Sequence, residues 1–140
     1  MKWLVDTCVL SEFSKAQPEP RVVDWLRHQP ESDLAISVLT VAEVEKGIHR
    51  LPDSAKKNRL IAWLATEVVD RFEDRILGVD LAVAKSWAQL TAQAELKGRP
   101  LPAIDGLIAA TVLTHHLSLV TRDTSDLQAC GVPLLNPWLK

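Results

Sequence analysis

The sequence predicts an α/β fold in which a parallel sheet is covered by helices on both faces. Two observations carry that expectation. Short apolar runs alternate along the chain with segments whose apolar residues recur at helical spacing. The runs are apolar at consecutive positions rather than alternate ones, as strands buried on both faces require.

Trp3-Leu4-Val5 is the first such run, and it stops at Asp6-Thr7. Val9, Leu10 and Phe13 suit a short helix ending near Lys15, before the break at Pro18-Glu19-Pro20. Pro20 has its φ already fixed for the first position of a second helix. Val22, Trp25 and Leu26 give that helix an apolar face, and Pro30 stops it. Leu34-Ala35-Ile36 is the second strand, running through Ser37-Val38-Leu39-Thr40 into a helix that lasts to about Arg50. Leu51 to Ser54 form a turn with a capping residue, followed by a longer helix with Leu60, Ile61, Leu64 and Val68 on one side.

Arg75 to Val79 read as a third strand, and Asp80 caps a helix carrying Val83, Trp87, Leu90 and Ala94 as far as Gly98. Pro100-Leu101-Pro102 is a rigid connector. Asp105 then opens a helix, lasting to about His116, that is apolar almost all round and so belongs at the centre. Ser118-Leu119-Val120 make a fourth strand, followed by a polar loop from Thr121 to Asp126. Val132 to Leu135 make a fifth before Asn136-Pro137-Trp138. No repeat, low-complexity tract or internal boundary interrupts residues 1–140, which are expected to form one domain.

With 47% hydrophobic residues in a chain of 140, a core can form without covalent staples. Two cysteines, Cys8 and Cys130, do not make a disulfide framework. The segment before Asp6 is too short for a secretory signal, and no apolar run approaches the roughly 20 residues that span a bilayer. These features point to a soluble protein of the reduced cytoplasm, with no membrane partner. A net charge of −2 gives no global attraction to nucleic acid. A polyanion would have to be held by local positive charge or by a metal.

Four acids share one architectural address. Asp6 ends the first strand, Glu43 lies in the first turn of the helix after the second, Asp105 begins the buried helix and Asp123 ends the fourth strand. All strand C-termini of a parallel sheet lie on one edge, where ligands of such folds gather. Each acid also has a plain structural reading. Asp6 and Asp105 suit N-caps, Thr40-x-x-Glu43 matches a capping box, and Asp123 or Asp126 suits an Asx-turn.

Magnitude weighs against four coincidences. Two carboxylates about 5 Å apart repel by roughly 3 kcal/mol at an effective dielectric near 20. Three mutually close pairs would cost about 10 kcal/mol, a whole domain's stability. Such a cluster needs protons or a cation, and oxygen donors without His or Cys select Mg²⁺ or Mn²⁺ over zinc. Phosphodiester hydrolysis is the chemistry such an ion serves. Lys46 and Arg50, one and two turns beyond Glu43, and Arg122 beside Asp123 are candidates for substrate phosphates, or else plain surface charge. There is no glycine-rich phosphate loop.

Val5-Asp6-Thr7, Ser37-Val38-Leu39-Thr40-x-x-Glu43, Ile104-Asp105-x-x-Ile108-Ala109-Ala110, Leu119-Val120-Thr121-Arg122-Asp123 and Leu135-Asn136-Pro137-Trp138, in that order, resemble PIN-domain toxins of the VapC type, especially the FitB-like branch. The resemblance spans essentially the whole chain. It implies a five-stranded parallel sheet flanked by helices and a Mg²⁺- or Mn²⁺-dependent ribonuclease of a type II toxin–antitoxin system. Asp6, Glu43, Asp105 and Asp123 would be the acidic quartet and the metal ligands, supported by the hydroxyls of Thr7 and Thr121. It also implies a homodimer and a cognate VapB- or FitA-like antitoxin, assembled as a heterotetramer or larger. DNA would be contacted only through that antitoxin. Cys8 and Asp123 depart from the branch, where Asn or Ser often follows the Asp-Thr pair and Asn often stands at the fourth acid.

Two other readings use the same acids. A receiver-like Mg²⁺-binding signalling module would need a Lys after a late strand, where Thr121-Arg122 stands instead. A structure-specific DNA nuclease would need an arch or a further DNA-binding element in a short chain.

Overall fold

Alternate residues of each strand point to opposite faces of the sheet, and here both faces are apolar. In the computed structural model, which describes residues 1–139, five parallel strands form a sheet of order β3-β2-β1-β4-β5. They are β1 (Trp3–Val5), β2 (Leu34–Ser37), β3 (Ile76–Leu77), β4 (Ser118–Val120) and β5 (Leu134–Leu135). The third and fifth are shorter than the sequence suggests. Arg75 closes a 3-10 turn before β3, and Val132 turns its side chain into the core ahead of β5.

Seven α-helices among the described residues cover the sheet: α1 (Thr7–Leu10), α2 (Pro20–Arg27), α3 (Val38–His49), α4 (Ala55–Trp63), α5 (Leu81–Leu96), α6 (Ala103–Thr114) and α7 (Ser125–Gln128). On one face Val5, Ile36 and Val120 meet Val9, Val22, Leu26 and Ile48 from α1 to α3, and Leu64 and Val68 from the π-helical turn that follows α4. On the other, Leu4, Ala35 and Leu119 meet Leu90, Ile108, Ala109, Val112 and Leu127 from α5 to α7. Each fully buried aliphatic side chain is worth about 1.5–3 kcal/mol. The apolar α6 is central, as its composition demands, with Ile108, Ala109, Ala110 and Val112 all buried. Trp3 meets Trp25 edge to face at 5.1 Å, so these indoles serve packing.

Other expectations are corrected as well. The first helix is four residues of α1 followed by a 3-10 turn, Ser11–Ser14. The helix begun at Ala55 widens into a π-helix at Leu64–Asp70, and the slower winding rotates the inward stripe. Leu64 and Val68 stay buried while Ile61 is 48% exposed. A further correction, at α3, bears on the site. No helix among the described residues is long and apolar enough to cross a membrane, and Cys8 and Cys130 are free thiols.

Candidate active site

The chain lays β2 and β3 on one side of β1, then crosses to lay β4 and β5 on the other. The reversal lies between β1 and β4, which makes the crevice beyond their C-termini the favoured ligand site. Strand register builds it. Val5 pairs with Val120, so Asp6 and Thr121 leave the sheet side by side, and the Asp6 amide donates to the Val120 carbonyl at 3.0 Å. Thr121 is fully buried, and its hydroxyl donates to Asp6 Oδ2 at 2.8 Å. Asp6 Oδ1 accepts the Thr7 amide at 2.8 Å, so Asp6 also caps α1.

Thr7 links the next acid. Its hydroxyl donates to Glu43 Oε1 at 2.8 Å, joining α1 to α3. The capping box expected at Thr40 and Glu43 does not form. Ser37, extended at the end of β2, caps α3 by accepting the Leu39 amide at 3.0 Å. The helix therefore starts at Val38, and Glu43 falls in its second turn rather than its first. That shift frees Glu43 for Thr7, while Thr40 is buried with its hydroxyl unpartnered.

Asp105 is the third residue of α6 rather than its cap, a position Pro102 occupies. Partial burial, and then the negative charges of Asp6, Glu43, Asp123 and Asp126, push its carboxyl above the ordinary carboxylate range. Gly106 beside it allows α5 to come close. A Cβ there would lie 3.1 Å from Trp87 Nε1, so this glycine helps set where Asp105 emerges.

The Asp123 amide donates to Thr121 Oγ1 at 3.2 Å, and Asp123 Oδ1 accepts from the Ser125 hydroxyl at 3.5 Å. The Thr121 hydroxyl thus touches Asp6 and the backbone of Asp123 together. Asp126, in the first turn of α7, extends the same negative field.

Asp6, Glu43 and Asp123 are thus linked through Thr7 and Thr121, and Asp105 lies near enough for their charges to act on it. Among the described residues, no three acid, His or Cys side chains are arranged so that they could hold a metal ion together. The donor set still fits Mg²⁺ or Mn²⁺. It is all oxygen and mutually repelling, and Mg²⁺ keeps several waters while taking only one or two carboxylates.

The cationic candidates differ in placement. Lys46 and Arg50 are exposed along and just past α3, beyond Glu43. Arg122 is exposed too, but its guanidinium lies 4.1 Å over the Trp138 ring. Sequence reasoning missed this stack, and missed Cys8 as a contact. Cys8 Sγ accepts the Arg122 amide at 3.5 Å and lies 3.6 Å from Thr121 Oγ1. Burial, with Asp6 adding to it, raises the Cys8 thiol above its ordinary range, so it packs as a neutral group. A groove of about 450 Å³ lined by Leu10, Phe13, Leu26, Trp63 and Phe72 holds none of the four acids. Its charged rim, Glu31, Glu67, Arg71 and Arg75, is engaged in ion pairs and backbone hydrogen bonds of its own.

Comparison with known proteins bears on the fold and the family. The PIN domain family matches residues 3–130. Toxin FitB of Neisseria gonorrhoeae (strain ATCC 700825 / FA 1090) is similar, with 41% identity over 135 residues, covering 96% of this chain and 97% of FitB. VapC ribonuclease Y4jK of Sinorhizobium fredii (strain NBRC 101917 / NGR234) is 37% identical over 135 residues, covering 96% of each. The solved structure of FitAB bound to an IR36 DNA fragment contains a chain that matches with a TM-score of 0.92 at 39% identity, covering 97% of this chain and 95% of that one.

Proposed function

The chain belongs to the PIN-domain family, in the branch that holds the VapC and FitB toxins, and on that premise we propose that it is a divalent-metal-dependent endoribonuclease, the toxin of a type II toxin–antitoxin pair. The observation that carries this reading is the hydrogen-bonded linkage of Asp6, Glu43 and Asp123 through Thr7 and Thr121, beside an Asp105 carboxyl raised first by burial and then by the charges of its acidic neighbours. A cluster of that kind is tolerable when a divalent cation neutralises it.

Asp6 and Asp105 are the foremost ligands for Mg²⁺ or Mn²⁺, with Glu43 and Asp123 completing the set. The bound ion would polarise a phosphodiester and lower the pKa of a coordinated water. The chain's own residues hold the acids in place. Thr121 fixes Asp6 Oδ2, Thr7 fixes Glu43 Oε1, and the Thr7 amide fixes Asp6 Oδ1, so the carboxylates meet the ion without first being reoriented. Lys46, Arg50 and Arg122 would contact RNA phosphates, which compensates for the chain's lack of overall positive charge.

FitB has been solved as FitAB on DNA, which supports an antitoxin partner here, with DNA contacted through that partner. A homodimer is part of the same reading, and an RNA substrate places the work in the cytoplasm. RNA oligonucleotides incubated with Mn²⁺ should be cut by the parent protein and left intact with a chelator. Asp6→Asn, folded by circular dichroism, should lose at least about 100-fold in rate, as loss of a preorganised charged group does. Equal cleavage by that variant would sink the site assignment. Cutting of DNA but not RNA would transfer the site to the structure-specific DNA nuclease reading.

A further inference from the structure

Asn136 and Trp138 lie at the far end of the chain from Asp6, yet both act on one residue of the candidate site. The Asn136 amide Nδ2 donates to the Arg122 carbonyl at 3.3 Å. Its Oδ1 accepts the Trp138 amide at 2.9 Å, closing the turn that carries the indole. The Trp138 ring centroid lies 4.1 Å from the Arg122 guanidinium, and the half-buried indole packs against the core. From the opposite direction, Cys8 Sγ accepts the Arg122 amide at 3.5 Å. Arg122 is therefore held at its N–H, its carbonyl and its side chain by three different residues.

The neighbours of Arg122 explain why that matters. Thr121 is fixed by the ladder, its amide donating to the Leu135 carbonyl at 3.0 Å, and by its bond to Asp6. Asp123 has no ladder bond, and its amide rests on Thr121 Oγ1. Without the grip on Arg122, the polar loop leaving β4 would be free to swing Asp123 away from Asp6. An exposed loop that carries a ligand needs such support to hold productive geometry.

We propose that Asn136 and Trp138 are positioning residues, a C-terminal clamp that acts through Arg122 to hold Asp123 beside Asp6 and Thr121. The proposal deepens the metal-site reading and rests on it for its consequence, though not for its geometry. Asn136 serves as carbonyl donor and turn closer, and Trp138 as the flat support that a cation stacks upon. Neither touches substrate.

The test pairs Trp138→Leu, which removes the ring face, with Trp138→Phe, which keeps one. Arg122→Gln removes the stacked cation without disturbing the core. Two readouts are needed. Backbone hydrogen exchange across residues 121–126, without metal, should speed up several-fold in Trp138→Leu and Arg122→Gln and stay near the parent in Trp138→Phe. Calorimetric Mn²⁺ affinity should weaken about 10-fold in the first two, the lower end of the range seen when groups supporting metal ligands are lost, and be restored in Trp138→Phe. Unchanged exchange in residues 121–126, with only a lower Tm, would overturn the clamp. Faster exchange with unchanged Mn²⁺ affinity would overturn its link to the site. A parent that binds no Mn²⁺ would instead overturn the metal-site reading, and the exchange data would still judge the clamp.

Discussion

The Thr121 hydroxyl has one proton and two lone pairs, and two acids depend on it. The proton goes to Asp6 Oδ2 and a lone pair receives the Asp123 amide. Replacement with Val keeps the volume and removes both bonds inside a fully buried site. Thr121→Val should therefore lower stability by about 1–3 kcal/mol, the cost of leaving a buried acceptor or donor unmade. It should also reduce RNA cleavage about 10- to 100-fold, since Asp6 loses the bond that orients it. Thr121→Ser, which keeps the hydroxyl, should recover most of the rate. Urea denaturation and initial cleavage rates of the three proteins check this. Asp6 also shows how one residue can satisfy two readings of a sequence, capping α1 with one oxygen and facing the site with the other.

At the scale of elements, the parallel sheet and the edge where the acids gather are legible in the sequence because strand ends and helix starts carry strong local signals. Asp6 and Asp123 fall just past the strand ends where the apolar runs place them, whereas Asp105 lies inside the first turn of α6 rather than at its start. Glu43 is found at the right edge for a partly wrong reason. Ser37 and Thr40 both resemble caps, and the choice depends on where β2 stops, which spacing alone does not decide. The π-helical stretch and the grip of Asn136 and Trp138 on Arg122 leave no local trace, because they depend on residues brought together only by folding. The turn after α1 is likewise tertiary. Glu12 is 4% exposed, with Oε2 accepting from Lys15 at 2.8 Å and Oε1 accepting the Glu19 amide at 2.9 Å. The bond to Lys15 leads, and with the Glu19 amide it outweighs burial and holds the carboxyl below its ordinary range. A lowered folded-state pKa contributes stability above the unfolded value of 4.5 that is lost as pH falls through the folded value. Glu12→Ala should cost about 1–3 kcal/mol at pH 7 by orphaning the Glu19 amide. Its deficit against the parent should narrow in acid, as measured by urea midpoints across pH.

For the whole molecule, the site opposes the fold that carries it. Asp105 has its folded-state pKa raised, so the sign reverses. Its contribution to stability is full below the unfolded value of 3.8 and is lost as pH rises through the raised folded value. At neutral pH without metal, the charged carboxylate repels its neighbours. Asp105→Asn should then melt higher than the parent by about 1–4 °C at pH 7, a gain that shrinks toward pH 3. Saturating Mn²⁺ should reverse the order, because the parent gains ligand-linked stability that the variant lacks. This trade of stability for a charged site is common where function sets the local chemistry. Thermal melts at the two pH values, with and without Mn²⁺, check it.

The central claim is that acids from separate elements converge to hold one divalent ion. Anomalous diffraction from crystals soaked in Mn²⁺ tests it most directly. The account predicts a peak within about 2.3 Å of a carboxylate oxygen of Asp6 and another of Asp105, with waters completing the shell. A peak elsewhere, or none at saturating Mn²⁺ with those carboxylates turned apart, would contradict it.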